Sequence, residues 1–229
     1  MAGKLIVIEG IDGSGKTTQT EMLVRRLKQE GHPVETIDFP QYYSTFFGKM
    51  VARYLRGEFG TVKQVSPYLA ALLYAGDRFE QKDTITKWLA DGKIVVANRY
   101  ASANMGHQAS KIPRGAARTA FIKWLDELEY QMFGIPRADA VLFLYVPTKI
   151  AQKLVDLKGK EMRKYANGKK RDIHEASSSH LLETEKAFLQ LCRSQPEWKR
   201  IDCVRNGKIL FKEQVHARIW DAVQAILRS

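Results

Sequence analysis

Gly10-Ile-Asp-Gly-Ser-Gly-Lys-Thr17 is the stretch on which the reading of this chain turns. It matches GxxxxGK[ST], in which glycines let backbone N–H groups turn inward onto phosphate oxygens. Lys16 adds a point charge toward the β and γ phosphates, and Thr17 offers a hydroxyl to Mg2+. The flanks agree. Residues 5–8 form a short apolar run, as a buried parallel strand does. Residues 16–30 carry Met22, Leu23 and Leu27 at helical spacing, with Gly31 as a stop. A helix starting near Lys16 aims the positive end of its dipole at the same anion. At average glycine usage the pattern arises by chance on the order of once per hundred chains of this size. Gly10, Ile11, Asp12, Gly13, Ser14, Gly15, Lys16, Thr17 and Thr18 are therefore assigned to the triphosphate of ATP.

Outward from the loop, strand-like and helix-like segments alternate. Residues 34–39 read as a second strand, ended by Pro40. Ser66-Pro67 reads as an N-cap followed by proline at the first helical position, opening one long helix to about Asp91, with Gly92 past its end. Strands are predicted at 93–97, 140–146 and 200–204. Helices are predicted at 121–132, 176–193 and 212–227. No internal repeat and no long linker interrupts this order, which predicts a single α/β domain over 1–229 with a doubly wound parallel sheet. Such sheets bind ligands beyond the carboxyl ends of their strands. The residues to examine therefore follow Ile8, Phe39, Ala97 and Val146.

Composition sets the bounds. The chain has 229 residues, 45% of them hydrophobic, enough for a sizeable core. The net charge of +12 points to an anionic partner or to solubility, and charge alone does not choose. Cys192 and Cys203 form no CxxC pair, so free thiols in a reducing compartment are expected. The N-terminal apolar run ends at Glu9, too soon for a signal peptide, and the run at 140–146 is too short to span a bilayer. The expectation is a soluble, cytoplasmic protein.

A phosphate loop alone leaves kinases, ATPases and GTPases open. Five motifs narrow it: Glu9-Gly-Ile-Asp-Gly-Ser-Gly-Lys-Thr-Thr18, Phe39-Pro-Gln-Tyr42, Tyr74-Ala-Gly-Asp-Arg78, Asn98-Arg-Tyr100 with Asn104, and Asp172-Ile-His-Glu175. In this order and at these spacings the chain resembles the thymidylate (dTMP) kinases over nearly its whole length. The resemblance implies a nucleoside monophosphate kinase fold with a basic lid, ATP and dTMP as substrates, Mg2+ brought in with ATP, and a homodimer. It implies that Asp12 bonds the 3′-hydroxyl of dTMP; capping of the loop is the structural alternative. Tyr42 takes the place of a phosphate-contacting arginine, although Tyr43 leaves the register open by one residue. Phe39 is either a pocket aromatic or packing.

Tyr74 and Arg78, four apart on one helix face, are implied to meet the thymine ring and its O4. A core tyrosine and a solvated arginine, with Asp77 as a local partner of Arg78, are the alternatives. Arg99 is implied to bridge the two phosphates and Asn104 to read thymine N3. His107 stands where an aromatic crowds the 2′ position, with surface packing as its alternative, and Gln108 is a further polar candidate. Most members have Asp where Asn98 stands, a position implied to organise water around Mg2+. An amide bonds a water but carries no charge.

Residues 158–171 hold seven basic side chains and one acid, Glu161. The resemblance implies a lid, at about 158–172, that closes over ATP; a solvated basic loop or a nucleic-acid patch is the alternative. Some family members carry an arginine where this chain has Gly13. The lid would then supply the missing cation, with Arg163 and Arg171 as the foremost candidates, since an arginine finger contributes about 10³–10⁵ in rate. Asp172 and Glu175 read either as a pair facing the sugar and metal region or as first-turn acids of the next helix. The expected activity is transfer of a phosphoryl group from ATP to dTMP. A kinase for another monophosphate or a deoxynucleoside is the nearer alternative. A nucleic-acid-binding P-loop ATPase is the more distant one, without a reader motif such as a zinc finger or RRM signature. No nucleic acid or membrane partner is expected.

Overall fold

The computed structural model describes residues 3–157 and 178–228. Its centre is a parallel sheet of five strands: β1 (Lys4–Glu9), β2 (Val34–Asp38), β3 (Ile94–Asn98), β4 (Ala140–Tyr145) and β5 (Trp198–Asp202), in the order β2-β3-β1-β4-β5. The expected α/β fold with a doubly wound sheet is what forms. β1 lies in the middle, and Leu5 to Ile8 have no exposed surface. Burying each of these side chains contributes about 1.5–3 kcal/mol. That is why an unbroken apolar run, rather than an alternating one, marks the strand.

Side-chain parity assigns the two faces of the sheet. Thr36 and Asp38 of β2 face α1 (Lys16–Gln29), sharing a cleft with Thr17, Thr20 and Glu21. Further along α1, Arg26 stacks on Trp220 of α9 (Lys212–Arg228) at 4.0 Å. On the other face, Glu9 bonds Ser102 of α5 (Ala101–His107). Its register partner Phe143 packs there on Phe188 of α8 (Ser178–Ser194) at 5.0 Å.

The structure corrects the sequence in several elements. The single helix expected from 67 to about 91 is two, α3 (Pro67–Glu80) and α4 (Lys82–Ala90). The chain leaves helical geometry at Gln81, whose N–H bonds the Arg78 carbonyl three residues back. The last turn of α3 is tied elsewhere. Arg78 pairs with Glu129, and the Glu80 carboxylate accepts from the N–H groups of Phe46 and Phe47 at the start of α2 (Phe46–Leu55). The helix expected at 121–132 starts earlier, as α6 (Ala116–Asp126), and widens into a π-helical segment at Glu127–Met132.

Three helices carried no expectation: α2, α5 and α7 (Thr148–Leu157). Val204, expected to end the fifth strand, instead belongs to a small hairpin. It pairs β6 (Val204–Arg205) with β7 (Lys208–Ile209) around Asn206-Gly207, both at positive φ. Cys192 and Cys203 are free thiols, and burial pushes both up, to about 11 and about 12. Among the described residues no helix is long and apolar enough to cross a membrane.

Candidate active site

The strand-to-helix turn after β1 builds the cradle. Gly15, at φ 90°, occupies the N-cap of α1 in a left-handed conformation that favours glycine. Gly13, at φ 85°, abuts α7, and a Cβ there would stand 2.4 Å from the Ala151 carbonyl oxygen. Lys16 folds across the loop, its Nζ donating to the carbonyls of Gly10 at 2.9 Å and Ile11 at 3.1 Å. Its Nζ is also 3.6 Å from Asp12. Burial and the nearby Arg99 bring its pKa down to about 8, against the pull of Asp12 and Glu9. Ile11 and Ser14 are buried, Thr18 is half-buried, and Thr17 stands exposed at the start of α1.

Arg99 is the hub beside this loop. It follows β3 directly, with a φ of 67° that is uncommon outside glycine. Its N–H donates to the Ile8 carbonyl, which locks the turn to β1. Its guanidinium donates to Asp12 Oδ1 and lies 2.8 Å from His107 Nε2 and 3.7 Å from Glu9 Oε1. Arginine only donates, so His107 Nε2 is the acceptor. Burial, and then the Arg99 charge, push the His107 pKa well below the usual imidazole value, which keeps the ring a neutral acceptor. Burial alone would raise the Asp12 carboxyl, but Arg99 and Lys16 together hold it well below the usual carboxylate range. The Asp12 carboxylate thus takes two cationic side chains. Glu9 is fully buried and accepts from the Gly10 N–H and the Ser102 hydroxyl, so it ties loop, hub and α5 together.

A cleft opens against Asp12 and Arg99. Phe39 and Tyr42 enter it from the segment after β2, and Tyr74 and Arg78 from α3. Asn104, His107 and Gln108 enter it from α5 and its end. Tyr43 is 65% exposed and outside the cleft, so Tyr42 is the tyrosine that faces it. Phe39 both lines the cleft and packs on Tyr100, ring centroids 5.8 Å apart. Tyr74 is half-buried, with its ring edge-on to Tyr54 at 6.3 Å.

Arg78 is not solvated. It is 2% exposed, and its guanidinium grips the carboxylate of Glu129, with Nε 2.7 Å from Oε2. Asp77, the alternative local partner, instead accepts from the Gln41 N–H and the Thr45 hydroxyl. Both N–H donors of the Asn104 amide are used, one on the Ala71 carbonyl and one on Glu129. Its amide oxygen is the atom left to meet a ligand. Gln108 is 1% exposed, and its Oε1 has no hydrogen-bond partner.

On the α1 face, Asn98 and Asp38 are register partners at the ends of β3 and β2. The Oδ1 of Asn98 and the Oγ1 of the buried Thr20 are without partners. Arg163, Arg171, Asp172 and Glu175, with the rest of the expected lid, lie outside the described residues. Three further residues enter here. Glu9 had a signal in the sequence, an ionisable residue closing an apolar run. Glu129, in an unremarkable helical stretch, had none, and Asp38 reads as an ordinary strand end.

The model of the family described as "Thymidylate kinase" matches residues 8–218. A thymidylate kinase of Mycobacterium tuberculosis is 33% identical over 147 residues, which is 64% of this chain and 68% of the relative. The thymidylate kinase of Homo sapiens is 33% identical over 151 residues, 66% of this chain and 65% of the relative. Among solved structures, a thymidylate kinase of Candida albicans superposes with a TM-score of 0.73 at 24% identity, covering 98% of this chain and 92% of that one, a likeness of fold. With a matched model spanning most of its length, this chain belongs to the thymidylate kinase family.

Proposed function

We propose that the chain transfers the γ-phosphoryl group of ATP to dTMP, giving dTDP and ADP in the supply of dTTP. The observation that carries this reading is the position of Arg99. Its guanidinium stands between the phosphate loop and a cleft of aromatic and amide side chains suited to a pyrimidine. An oxygen of the dTMP phosphate attacks the γ phosphorus in line as the bond to ADP breaks, with no covalent enzyme intermediate. The attacking oxygen is already anionic, so the task is positioning and charge neutralisation.

Each residue then has a role. Lys16 draws charge from the donor phosphates, and Arg99 spans donor and acceptor. Asp12 accepts from the 3′-hydroxyl, and the Tyr42 hydroxyl donates to the dTMP phosphate. Phe39 and Tyr74 flank the base. Arg78 donates to thymine O4, and the Asn104 amide oxygen accepts from N3–H. Gln108 offers its unpartnered Oε1 to the same ligand. His107 holds the Arg99 fork and fills the space where a 2′-hydroxyl would stand. Gly13 leaves the loop without a cation, and the contact with Ala151 leaves no room for a larger side chain there. Arg163 and Arg171 are proposed to bring that cation in the lid, with Glu175 near the sugar.

The residues fit a hydrated Mg2+ carried with ATP. Thr17 is exposed for direct contact, and the orphaned oxygens of Thr20 and Asn98 are ready to accept from water. Bound there, the ion withdraws charge from the β and γ phosphates. A homodimer is part of the same reading, supported by apolar side chains left exposed on α2 and α3. So is action in the cytoplasm, where dTMP is at hand.

A coupled assay should show ADP production that depends on dTMP and exceeds that with other monophosphates. Lys16→Ala should abolish turnover while the circular dichroism spectrum stays unchanged. ADP release that needs no acceptor, or full activity in Lys16→Ala, would refute the assignment.

A further inference from the structure

We propose that Asp38 is a positioning residue for the divalent metal, its carboxylate ordering the water shell that the uncharged Asn98 orders only weakly. The inference rests on the reading of the site as an ATP-dependent kinase. P-loop enzymes commonly hold their metal between the loop Thr or Ser and an acidic side chain at the end of a neighbouring strand. Here the strand beside β1 ends in Asn98, and the carboxylate lies one strand further out. Asp38 is the register partner of Asn98, and partners in a parallel pair project from the same face.

That face is the one covered by α1. Asp38 lines a cleft with Thr20, Glu21 and Thr17, whose hydroxyl the motif offers to the metal. Neighbouring strands are about 4.8 Å apart, too far for Asp38 to replace a direct ligand at β3 but within reach through one water. Mg2+ keeps several of its waters, and every such water is a donor in search of an oxygen. Two oxygens beside the cleft lack a partner. Thr20, in its lining, is 5% exposed with an unpartnered Oγ1, and Asn98, whose amide bonds Asp38, keeps an unpartnered Oδ1. Buried acceptors without a protein partner are explained when ordered water donates to them. Glu21 also faces Asp38, and a cation between two like charges relieves their repulsion.

The test titrates Mn2+ into the protein saturated with a non-hydrolysable ATP analogue, with free Mn2+ read by electron paramagnetic resonance. Asp38→Asn should weaken Mn2+ binding about 10-fold or more. Its affinities for the metal-free analogue and for dTMP should match wild type. Adding Asn98→Asp to Asp38→Asn should restore Mn2+ binding, because a carboxylate then stands on the same face one strand nearer the loop. Mn2+ affinity within about twofold of wild type in Asp38→Asn would overturn the proposal. So would an equal loss of affinity for the metal-free analogue, which marks a merely structural change, or a double variant that recovers nothing. A wild-type protein that binds neither analogue nor dTMP would instead overturn the kinase reading and this inference with it.

Discussion

Arg78 shows how a functional side chain is held in place by something the sequence does not advertise. Its spacing from Tyr74 put both on one face of α3. The neighbouring Asp77 looked like a partner, but adjacent helical residues point about 100° apart and do not face each other. The partner is Glu129, 51 positions away, brought in by the π-helical segment after α6. Burial would lower the Arg78 pKa, but Glu129 outweighs it and raises it. Glu129 also fixes the Asn104 amide, so one carboxylate sets two of the groups proposed to read thymine. Removing its charge leaves a buried guanidinium without a counter-ion, which typically costs about 3–5 kcal/mol. Glu129→Gln should therefore lower stability by roughly that amount in urea denaturation and raise the KM for dTMP, leaving ATP binding near wild type. A loss below about 1 kcal/mol would show that the pair is not the anchor described here.

At the scale of elements, the contact of α5 with α8 matters most, because it backs the hub. Gly106 lets the two helices close, since a Cβ there would stand 2.2 Å from the buried Phe188 ring. His107 sets its ring edge-on to Phe188 at 5.6 Å and lies 5.9 Å from His180. Burial, and then Lys111, bring the His180 pKa to about 4. The groups around this pair are Arg99, Asp12, Lys16 and Lys111, with Ser110 and Thr184 bonding near His180. Both histidines have folded pKa values below the unfolded one, so between those values the unfolded chain binds more protons. Stability then falls as the pH drops below about 6.5. For His180 the loss grows toward pH 4, to on the order of 3 kcal/mol. Melting temperatures measured from pH 7 to pH 4 should fall more steeply for wild type than for His180→Gln. Parallel curves would refute the role of His180. The sequence marked α8 as a helix and His107 as a site residue, but not the helix that carries His107 or its contact with α8. α5 is a seven-residue helix of mostly small and polar residues, with no amphipathic stripe to announce it, yet all of it is buried. The break at Gln81 was equally hidden, because it follows from what Arg78 and Glu80 grip rather than from a local stop signal.

Over the whole molecule, what was legible is what local chemistry dictates. Apolar runs gave the three inner strands β1, β3 and β4, glycines and Lys16 the cradle, and Gly31 and Gly92 the helix ends. What was hidden is what distant parts impose: Glu129 under Arg78, Asp38 beside Asn98, α7 against Gly13. The same division applies to the surface, where exposed apolar groups are scattered in sequence and gathered in space. Phe79 packs on Phe133 at 5.0 Å, beside Met132, which is 72% exposed. Glu80, next to Phe79, binds the N–H of Phe46, which is 66% exposed. Large side chains from α2, α3 and the π-helical segment thus crowd one region, as at protein–protein contacts. A second copy of the chain is the proposed occupant. Two copies together carry double the net charge of +12, so long-range repulsion opposes their union. Salt screens that repulsion and leaves apolar burial intact. Sedimentation should therefore show a dimer whose dissociation constant falls as ionic strength rises from about 0.01 to about 0.15 M. Phe46→Glu should give a monomer of native circular dichroism by placing a charge in the contact. A wild-type monomer throughout that salt range, or a dimer indifferent to Phe46→Glu, would remove this face as the interface.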